Sequence, residues 1–281
     1  MPRTSFDFRQ VDVFSGVALK GNPVAVFLDA ARLDGSAMQA IANWTNLSET
    51  TFVLPPTDPG ADYRLRIFTP RTELPFAGHP TLGSAHAVLE SGLVPLRDGA
   101  LVQQCGVGLV TVRSDGPGRL FLKVPPATLT PVSPEVQARV ESALTCLLVG
   151  DVAVVDLGPR WLTGGLASEL ELLALEPDMT ELAQLSRDLA ITGVNLFARA
   201  DGHLQVRSFA PAEGVAEDPV CGSGNAAVAT LLGENGERHN YEAHQGHCVG
   251  RDGHAFIEYD TDGSIWLGGQ TVTCISGTFT L

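Results

Sequence analysis

Residues 217–225 read Glu-Asp-Pro-Val-Cys-Gly-Ser-Gly-Asn, a polar, glycine-rich turn that runs directly into the apolar segment 226–232. This segment is apolar on nearly every face, which predicts a helix that is buried all round and capped by Gly233. The backbone amides of residues 222–224 then have no acceptor within the helix, and the helix dipole adds partial positive charge beside them. The turn therefore predicts a binding site for an anionic group such as a carboxylate.

A second copy of this arrangement lies upstream, where residues 77–81 (Ala-Gly-His-Pro-Thr) lead into the apolar segment 82–89, with Gly92 as its predicted C-cap. Similar lead-ins precede the two turns: Leu-Arg-Ile-Phe-Thr-Pro at 65–70 and Val-Arg-Ser-Phe-Ala-Pro at 206–211. The Arg, Phe and Pro of these lead-ins match at a single offset. Repetition of lead-in, turn and helix indicates an internal duplication.

The length and composition of the chain favour two domains. Its 281 residues are 44% hydrophobic, which is enough to form sizeable cores. Pro125 and Pro126 are the best candidate boundary, because two successive prolines stop both a helix and a central strand. We expect one lobe from residues 1–124 plus 265–281 and a second lobe from residues 125–264.

Charge and cysteine content restrict the partners and the compartment. With 32 acidic and 18 basic residues, the net charge of −14 argues against nucleic acid or an anionic membrane as a partner. The chain has neither a run of 18 apolar residues nor the apolar core of a signal peptide. Its five cysteines are odd in number and form no Cys-x-x-Cys pair, which indicates a reducing compartment. We therefore expect a cytoplasmic protein.

The remaining pattern alternates strands with single helices. Apolar spacing and turn residues predict helices at 36–44, 134–144 and 180–189, in addition to the two after the glycine turns. Strands are predicted at 8–14, 24–28, 63–68, 101–112, 120–124, 152–157, 194–200, 204–209, 245–249, 254–259 and 265–279, and residues 45–54 are expected to be mainly extended. One buried helix among several strands in each half predicts an α+β fold.

Three motifs in order make the chain resemble the phenazine-biosynthesis isomerase (PhzF-like) family: Asn-Leu-Ser-Glu-Thr at 46–50, Gly-His-Pro-Thr at 78–81 and Glu-Asp-Pro-Val-Cys-Gly-Ser at 217–223. The resemblance implies the diaminopimelate epimerase-like fold, in which two pseudo-symmetric lobes each wrap a curved mixed sheet around a central helix. It also implies an active site in the cleft between the lobes. Members are typically metal-free and coenzyme-free isomerases and are commonly homodimeric. The best understood member moves a proton within dihydro-hydroxyanthranilate.

Carried over residue by residue, the resemblance implies that Glu49 is the general acid and base, with His79 and Asp218 shaping the proton path. Abstracting a proton from a carbon next to a carboxylate requires a base at that carbon and donors where negative charge accumulates. The implied substrate is a small carboxylated molecule. The residues expected to bind it are Gly78, Gly222, Ser223 and Gly224.

A zinc site in the second half is a weaker hypothesis. Imidazoles and a thiolate are typical zinc ligands, and they cluster at His239, His244, His247, Cys248 and His254. However, if His247 and Cys248 lie on a strand, their side chains point to opposite faces and cannot easily share an ion. The sequence also contains no phosphate loop or dinucleotide fingerprint. We therefore expect neither a metal nor an organic cofactor.

Two other functions stay open. The first is an amino-acid epimerase or racemase that uses Cys221, whose thiol is expected to have a lowered pKa at the start of a helix. The diaminopimelate branch uses two cysteines that face one another, and Ala77 falls at the first of those positions. The second is a binding protein that has kept the fold and lost turnover. The intact set of Glu49, His79 and Asp218 argues against it.

Overall fold

The computed structural model describes residues 4–281, in which the chain forms two compact units. The first unit contains the chain up to Lys123 together with Gly268–Leu281, and the second is Val124–Leu267. Within residues 4–281, no helix is both long enough and apolar enough to cross a membrane.

The helices and strands follow one another along the chain. The elements up to Lys123 are β1 (Ser5–Val13), β2 (Asn22–Phe27), α1 (Gly35–Thr45), β3 (Thr50–Leu54), β4 (Tyr63–Phe68), β5 (Glu73–Leu74), α2 (Gly78–Glu90), β6 (Ala100–Cys105), β7 (Gly108–Ser114) and β8 (Arg119–Lys123). They are followed by β9 (Thr128–Pro131), α3 (Pro134–Leu144), β10 (Val149–Asp156), β11 (Arg160–Gly165), α4 (Glu169–Leu173), α5 (Met179–Leu189), β12 (Gly193–Arg199), β13 (Leu204–Ala210), β14 (Val215–Asp218), α6 (Gly222–Glu234), β15 (Tyr241–Gln245), β16 (Gly253–Tyr259) and β17 (Ile265–Thr280). Short 3₁₀ helices occupy Pro211–Glu213 and His247–Val249.

In the first unit the strands form a ring around α2. Strand β1 pairs with β2 antiparallel, β2 with β3 parallel, β3 with β4 antiparallel, β4 with β6 parallel, and β6 with β7 antiparallel. Strands β7, β8, β17 and β1 then pair in turn and complete the ring. Helix α2 packs against β1, β2, β3, β4 and β8. The helix is therefore enclosed by sheet.

The second unit repeats the same order of pairings around α6. Strand β10 pairs with β11 antiparallel, β11 with β12 parallel, β12 with β13 antiparallel, β13 with β15 parallel, and β15 with β16 antiparallel. Helix α6 packs against β10, β11, β12 and β16. Both α2 and α6 follow the fourth strand of this order and precede the fifth. This agreement is what the internal duplication predicts.

Both central helices are built from small residues because the surrounding sheet comes close to them. An added Cβ at Gly83 of α2 would lie 2.3 Å from Val24 Cγ1. An added Cβ at Gly224 of α6 would lie 2.8 Å from both Asn195 Oδ1 and Ser208 Oγ. Glycine at these two positions permits the close contact between helix and strand.

The other helices cover the sheets with larger apolar side chains. In the first unit, Met38 and Ile41 of α1 pack into a cluster with the aromatic rings of Phe27 and Phe52. In the second unit, α3, α4 and α5 contribute buried leucines such as Leu182 to a core that also contains strand residues. Each unit therefore has apolar packing of its own around the sheet that surrounds its central helix.

Several predicted elements are confirmed, and some details are wrong. Residues 134–144 and 63–68 form the predicted helix and strand. Gly233, however, lies inside α6 rather than at its end, because its missing side chain lets the Tyr259 ring approach. The left-handed backbone comes three residues later, at Gly236.

The other differences arise at turns. The strand predicted at 245–249 ends at Gln245, since Gly246 has a φ of 97° and starts a 3₁₀ helix. The segment 101–112 is a hairpin of two strands rather than one strand, and residues 45–54 are extended only from Thr50 onward. Strands β5, β9, β11 and β14 and helix α4 were not predicted from the sequence. All five are short, with six residues or fewer.

Candidate active site

In the first unit the fold brings Glu49 and His79 together. Glu49 directly precedes β3, just after α1 ends at Asn46 in the left-handed conformation (φ 54°). His79 is the second residue of α2. Its Nε2 lies 3.3 Å from Glu49 Oε2, and the two side chains are only 8% and 15% exposed. Two residues that are 30 positions apart in the chain thus form one carboxyl–imidazole pair.

Burial decides the charge of His79. Loss of hydration lowers the pKa of His79 to about 3, although a hydrogen bond with the Pro23 backbone acts in the opposite direction. The imidazole is therefore neutral at physiological pH. A neutral imidazole beside a carboxyl group can donate its ring N–H to the carboxylate or accept the proton of the acid.

Hydrogen bonds fix α2 to the strands beside the pair. Thr51 Oγ1 and Ser84 Oγ lie 2.8 Å apart and connect β3 to α2. Gln103 Nε2 donates to Thr81 Oγ1 over 3.0 Å and connects β6 to the first turns of the same helix. Since β3 begins immediately after Glu49, these bonds hold both members of the pair on rigid elements.

In the second unit, Asp218 and Cys221 lie at the start of α6. Cys221 is the N-cap residue, and its Sγ accepts a hydrogen bond from the Gly224 amide over 3.2 Å. Asp218 Oδ1 accepts from the Val220 amide over 3.0 Å. Burial raises the pKa of Asp218 from 3.8 to about 6, while hydrogen bonds from Val220 and Cys221 act in the opposite direction. Asp218 can therefore exist in either protonation state near neutral pH.

The prediction that the pKa of Cys221 is lowered is wrong. Burial raises the pKa of the Cys221 thiol well above its ordinary value, and the neighbouring Asp218 adds to the rise. Hydrogen bonds from Gly224 and Ser223 act against this shift but do not overcome it. The loss of hydration outweighs the helix dipole, so Cys221 stays a neutral thiol that can hydrogen-bond to Asp218.

Trp161 and Gln245 hold the residues around the start of α6 in place, although the sequence assigned neither of them a role. Trp161 Nε1 donates to Ser223 Oγ over 2.9 Å. Because an indole N–H can only donate, the Ser223 hydroxyl accepts here and its own proton is directed elsewhere. Gln245 Oε1 accepts from the Cys221 amide over 3.1 Å, and Gln245 Nε2 donates to the Asp218 carbonyl over 3.0 Å. Trp161 lies on β11, one of the strands that were not predicted from the sequence.

The predicted glycines differ in their roles. Gly224 is required by packing, and the Cys221 thiol already accepts from its amide. Gly78 is different, because an added Cβ would lie 3.7 Å from Leu122 Cδ2, an ordinary contact. Gly222 and Ser223 lie in the first turn of α6, where backbone amides have no intrahelical acceptor. Glu49, Gly78 and His79 belong to the first unit, and Asp218 with residues 222–224 belongs to the second.

Comparison with known proteins identifies the family. The model of the family described as phenazine biosynthesis-like protein (PhzC-PhzF) matches residues 11–277. Antisense-enhancing sequence 1 of Schizosaccharomyces pombe is 40% identical, and the match covers 98% of each chain. Trans-2,3-dihydro-3-hydroxyanthranilate isomerase of Pseudomonas aeruginosa is 41% identical over 79% of this chain and 78% of that protein.

A solved structure gives the same result. The crystal structure of a phenazine biosynthesis protein of the PhzF family from Enterococcus faecalis is 27% identical, with a TM-score of 0.83, and the match covers 99% of this chain and 100% of that one. The predicted α+β, diaminopimelate epimerase-like fold is thereby confirmed. Since the family model, relatives and structure together match nearly the whole chain, this protein belongs to the phenazine biosynthesis-like family as a PhzF-type isomerase.

Proposed function

We propose that this isomerase moves a proton within a small carboxylated substrate, without a metal or organic cofactor, and that Glu49 is its general acid and base. The buried pair of Glu49 and His79 is the observation that carries the proposal. Because His79 is neutral, Glu49 faces no imidazolium charge that would weaken it as a base. The isomerase from P. aeruginosa supports the same class of reaction.

In the proposed reaction, the substrate carries a double bond next to the carbon that loses its proton. Glu49 takes this proton, the electron pair left behind forms a new double bond, and the electrons of the original double bond move to another carbon. The proton is then delivered to another carbon of the same substrate, so the product is an isomer. Negative charge that develops on the substrate is stabilised by first-turn amides of α6 at Gly222 and Ser223. Asp218 can be protonated or ionised near neutral pH, so it can donate a hydrogen bond to a polar group of the substrate or accept one from it.

The direct test uses the substrate in the name of the P. aeruginosa relative, trans-2,3-dihydro-3-hydroxyanthranilate, together with other small cyclic carboxylates. Each compound is incubated with the protein in D₂O and followed by NMR. A product with a shifted double bond supports the proposal. If a compound stabilises the protein against heat but none is converted, the alternative of a non-catalytic binding protein is favoured.

The Cys221→Ser variant separates this proposal from the epimerase alternative. We expect it to keep most of the turnover, because the wild-type thiol is not ionised and a serine hydroxyl can still accept from the Gly224 amide. Ala77 occupies the same N-cap position on α2 and cannot carry a proton. Turnover of the variant and a chiral assay on amino acids are measured. Racemisation by the wild type that disappears in the variant would replace the isomerase by an epimerase.

Alanine substitution at Gly78 and Gly83 separates a glycine that serves function from one that serves packing. Gly83→Ala is expected to destabilise the protein by about 1–3 kcal/mol, since the new methyl group would collide with Val24. Gly78→Ala is expected to change stability by no more than about 0.5 kcal/mol. It should nevertheless lower kcat/KM about 10-fold, if the substrate contacts the backbone at Gly78. Unchanged kinetics would remove Gly78 from the proposed binding site.

A further inference from the structure

Three side chains that can ligate a metal lie together on one face of the hairpin formed by β15 and β16. His244 of β15 lies directly opposite His254 of β16 in the antiparallel register. Glu242 precedes His244 by two residues on the same strand, and alternate residues of a strand share a face. The fold therefore places two imidazoles and one carboxylate on the same side of a rigid hairpin.

The donor atoms of these residues converge. Glu242 Oε1 lies 3.2 Å from His244 Nε2 and 2.5 Å from His254 Nδ1. All three donor atoms lie within 4.8 Å of one another. In a tetrahedral zinc site, metal–ligand bonds of about 2.0–2.2 Å place neighbouring donor atoms roughly 3.3 Å apart. The pair of Glu242 and His244 already has that spacing, and the 2.5 Å between Glu242 Oε1 and His254 Nδ1 has to widen by roughly 0.8 Å to reach it.

Neighbouring groups orient both rings. The imidazole of His203 stacks on that of His244, with centroids 3.9 Å apart and planes 19° apart. Asp252 Oδ1 lies 3.3 Å from His254 Nε2, the ring nitrogen that does not face Glu242. When Nδ1 of His254 binds a metal, its proton resides on Nε2 and is donated to Asp252. Such carboxylate–histidine–metal arrangements fix the tautomer and strengthen the ligand.

We propose that Glu242, His244 and His254 form a binding site for a divalent transition metal of the zinc class, with water completing the coordination. Two nitrogen donors and one carboxylate favour zinc, nickel or copper over magnesium or calcium. This site differs from the zinc site that was hypothesised from the sequence. His247 and Cys248 lie in the 3₁₀ helix beyond β15 and are not ligands. It goes beyond the proposed isomerisation and has no part in proton transfer.

The test is calorimetric titration of the chelator-treated, untagged protein with Zn²⁺, and with Mg²⁺ in a parallel experiment. One equivalent of Zn²⁺ should bind, and Mg²⁺ should not. Asp252→Asn, which keeps all three ligands, should weaken Zn²⁺ affinity by about 10–100-fold. His254→Ala should weaken it further. His239→Ala is the matched control, since His239 is exposed and outside the cluster, and its affinity should equal that of the wild type.

Two further measurements do not depend on the isomerase reaction. Co²⁺ added to the metal-free protein should give the visible absorption that is typical of cobalt with a low coordination number. This absorption should disappear in His254→Ala. Zn²⁺ should raise the melting temperature of the wild type, because it binds the native state, and should not do so in His254→Ala. Absence of stoichiometric binding, or binding that is unchanged by His254→Ala, would overturn the proposal. Chelator treatment should leave isomerase turnover unchanged, and its loss would instead contradict the proposed cofactor-free reaction.

Discussion

Replacing Glu49 with glutamine is expected to lower turnover by about 10²-fold or more, because the amide keeps the shape of the carboxylate and cannot take a proton. The measurement is kcat for the converted substrate, together with the rate at which deuterium from the solvent enters the reacting carbon.

Controls distinguish lost chemistry from lost structure. Glu90→Gln removes another carboxylate of the first unit, at the exposed end of α2, and should leave turnover unchanged. The melting temperature of Glu49→Gln should stay close to that of the wild type. If deuterium exchange in Glu49→Gln proceeds at the wild-type rate, Glu49 is not the base.

Replacing Arg207 with methionine is expected to destabilise the second unit by about 3–5 kcal/mol, since it leaves the buried carboxylate of Glu217 without its cation. Arg207 makes two hydrogen bonds to Glu217, of 3.0 and 2.8 Å, and the two side chains are only 6% and 8% exposed. It also donates to the Leu172 and Leu175 carbonyls, over 2.9 Å each. Methionine preserves much of the volume and none of these bonds.

The internal duplication supplies a matched control in the same chain. Arg66 of β4 pairs with Glu73 of β5 through two bonds of 2.7 Å, just as Arg207 of β13 pairs with Glu217 of β14. The side chains of Arg66 and Glu73 are, however, 30% and 42% exposed. Arg66→Met should therefore cost no more than about 1 kcal/mol.

Urea unfolding followed by circular dichroism, and by the fluorescence of the buried Trp161 of the second unit, measures both variants. The double variant Arg207→Met with Glu217→Leu should recover most of the lost stability, because neither charge is then left buried alone. Equal costs for Arg66→Met and Arg207→Met would show that burial does not control the strength of this repeated pair.

Glu49, His79 and Asp218 could be proposed as site residues from the sequence, but their surroundings and charge states could not. The resemblance of three motifs to a known family singled them out, and the glycine turns placed His79 and Asp218 near the starts of two helices. The contact of 3.3 Å between Glu49 and His79 depends on how β3 and α2 pack. Neither the neutral state of His79 nor the raised pKa of Asp218 could be predicted, since both arise from burial.

Cys221 shows the difference most clearly. From the sequence alone, its place at a helix start predicted a lowered pKa, since the dipole is a local property of the helix. In the folded protein, strands that are distant in sequence exclude water from the thiol, and Asp218 lies beside it. Desolvation is the larger effect, so the direction of the shift is reversed.

The family could be predicted from three motifs, and the α+β fold, the repeat and the residues at the start of each central helix could be predicted from periodicity and turn chemistry. These signals lie in residues that are close together in the chain. Three features came only from the folded structure: which of two equivalent arginine–glutamate pairs is buried, the bond by which Trp161 directs Ser223, and the position of His244 opposite His254 across a hairpin. Strand register and solvent exclusion come from contacts between residues far apart in the chain, and the sequence pattern around each residue does not contain them.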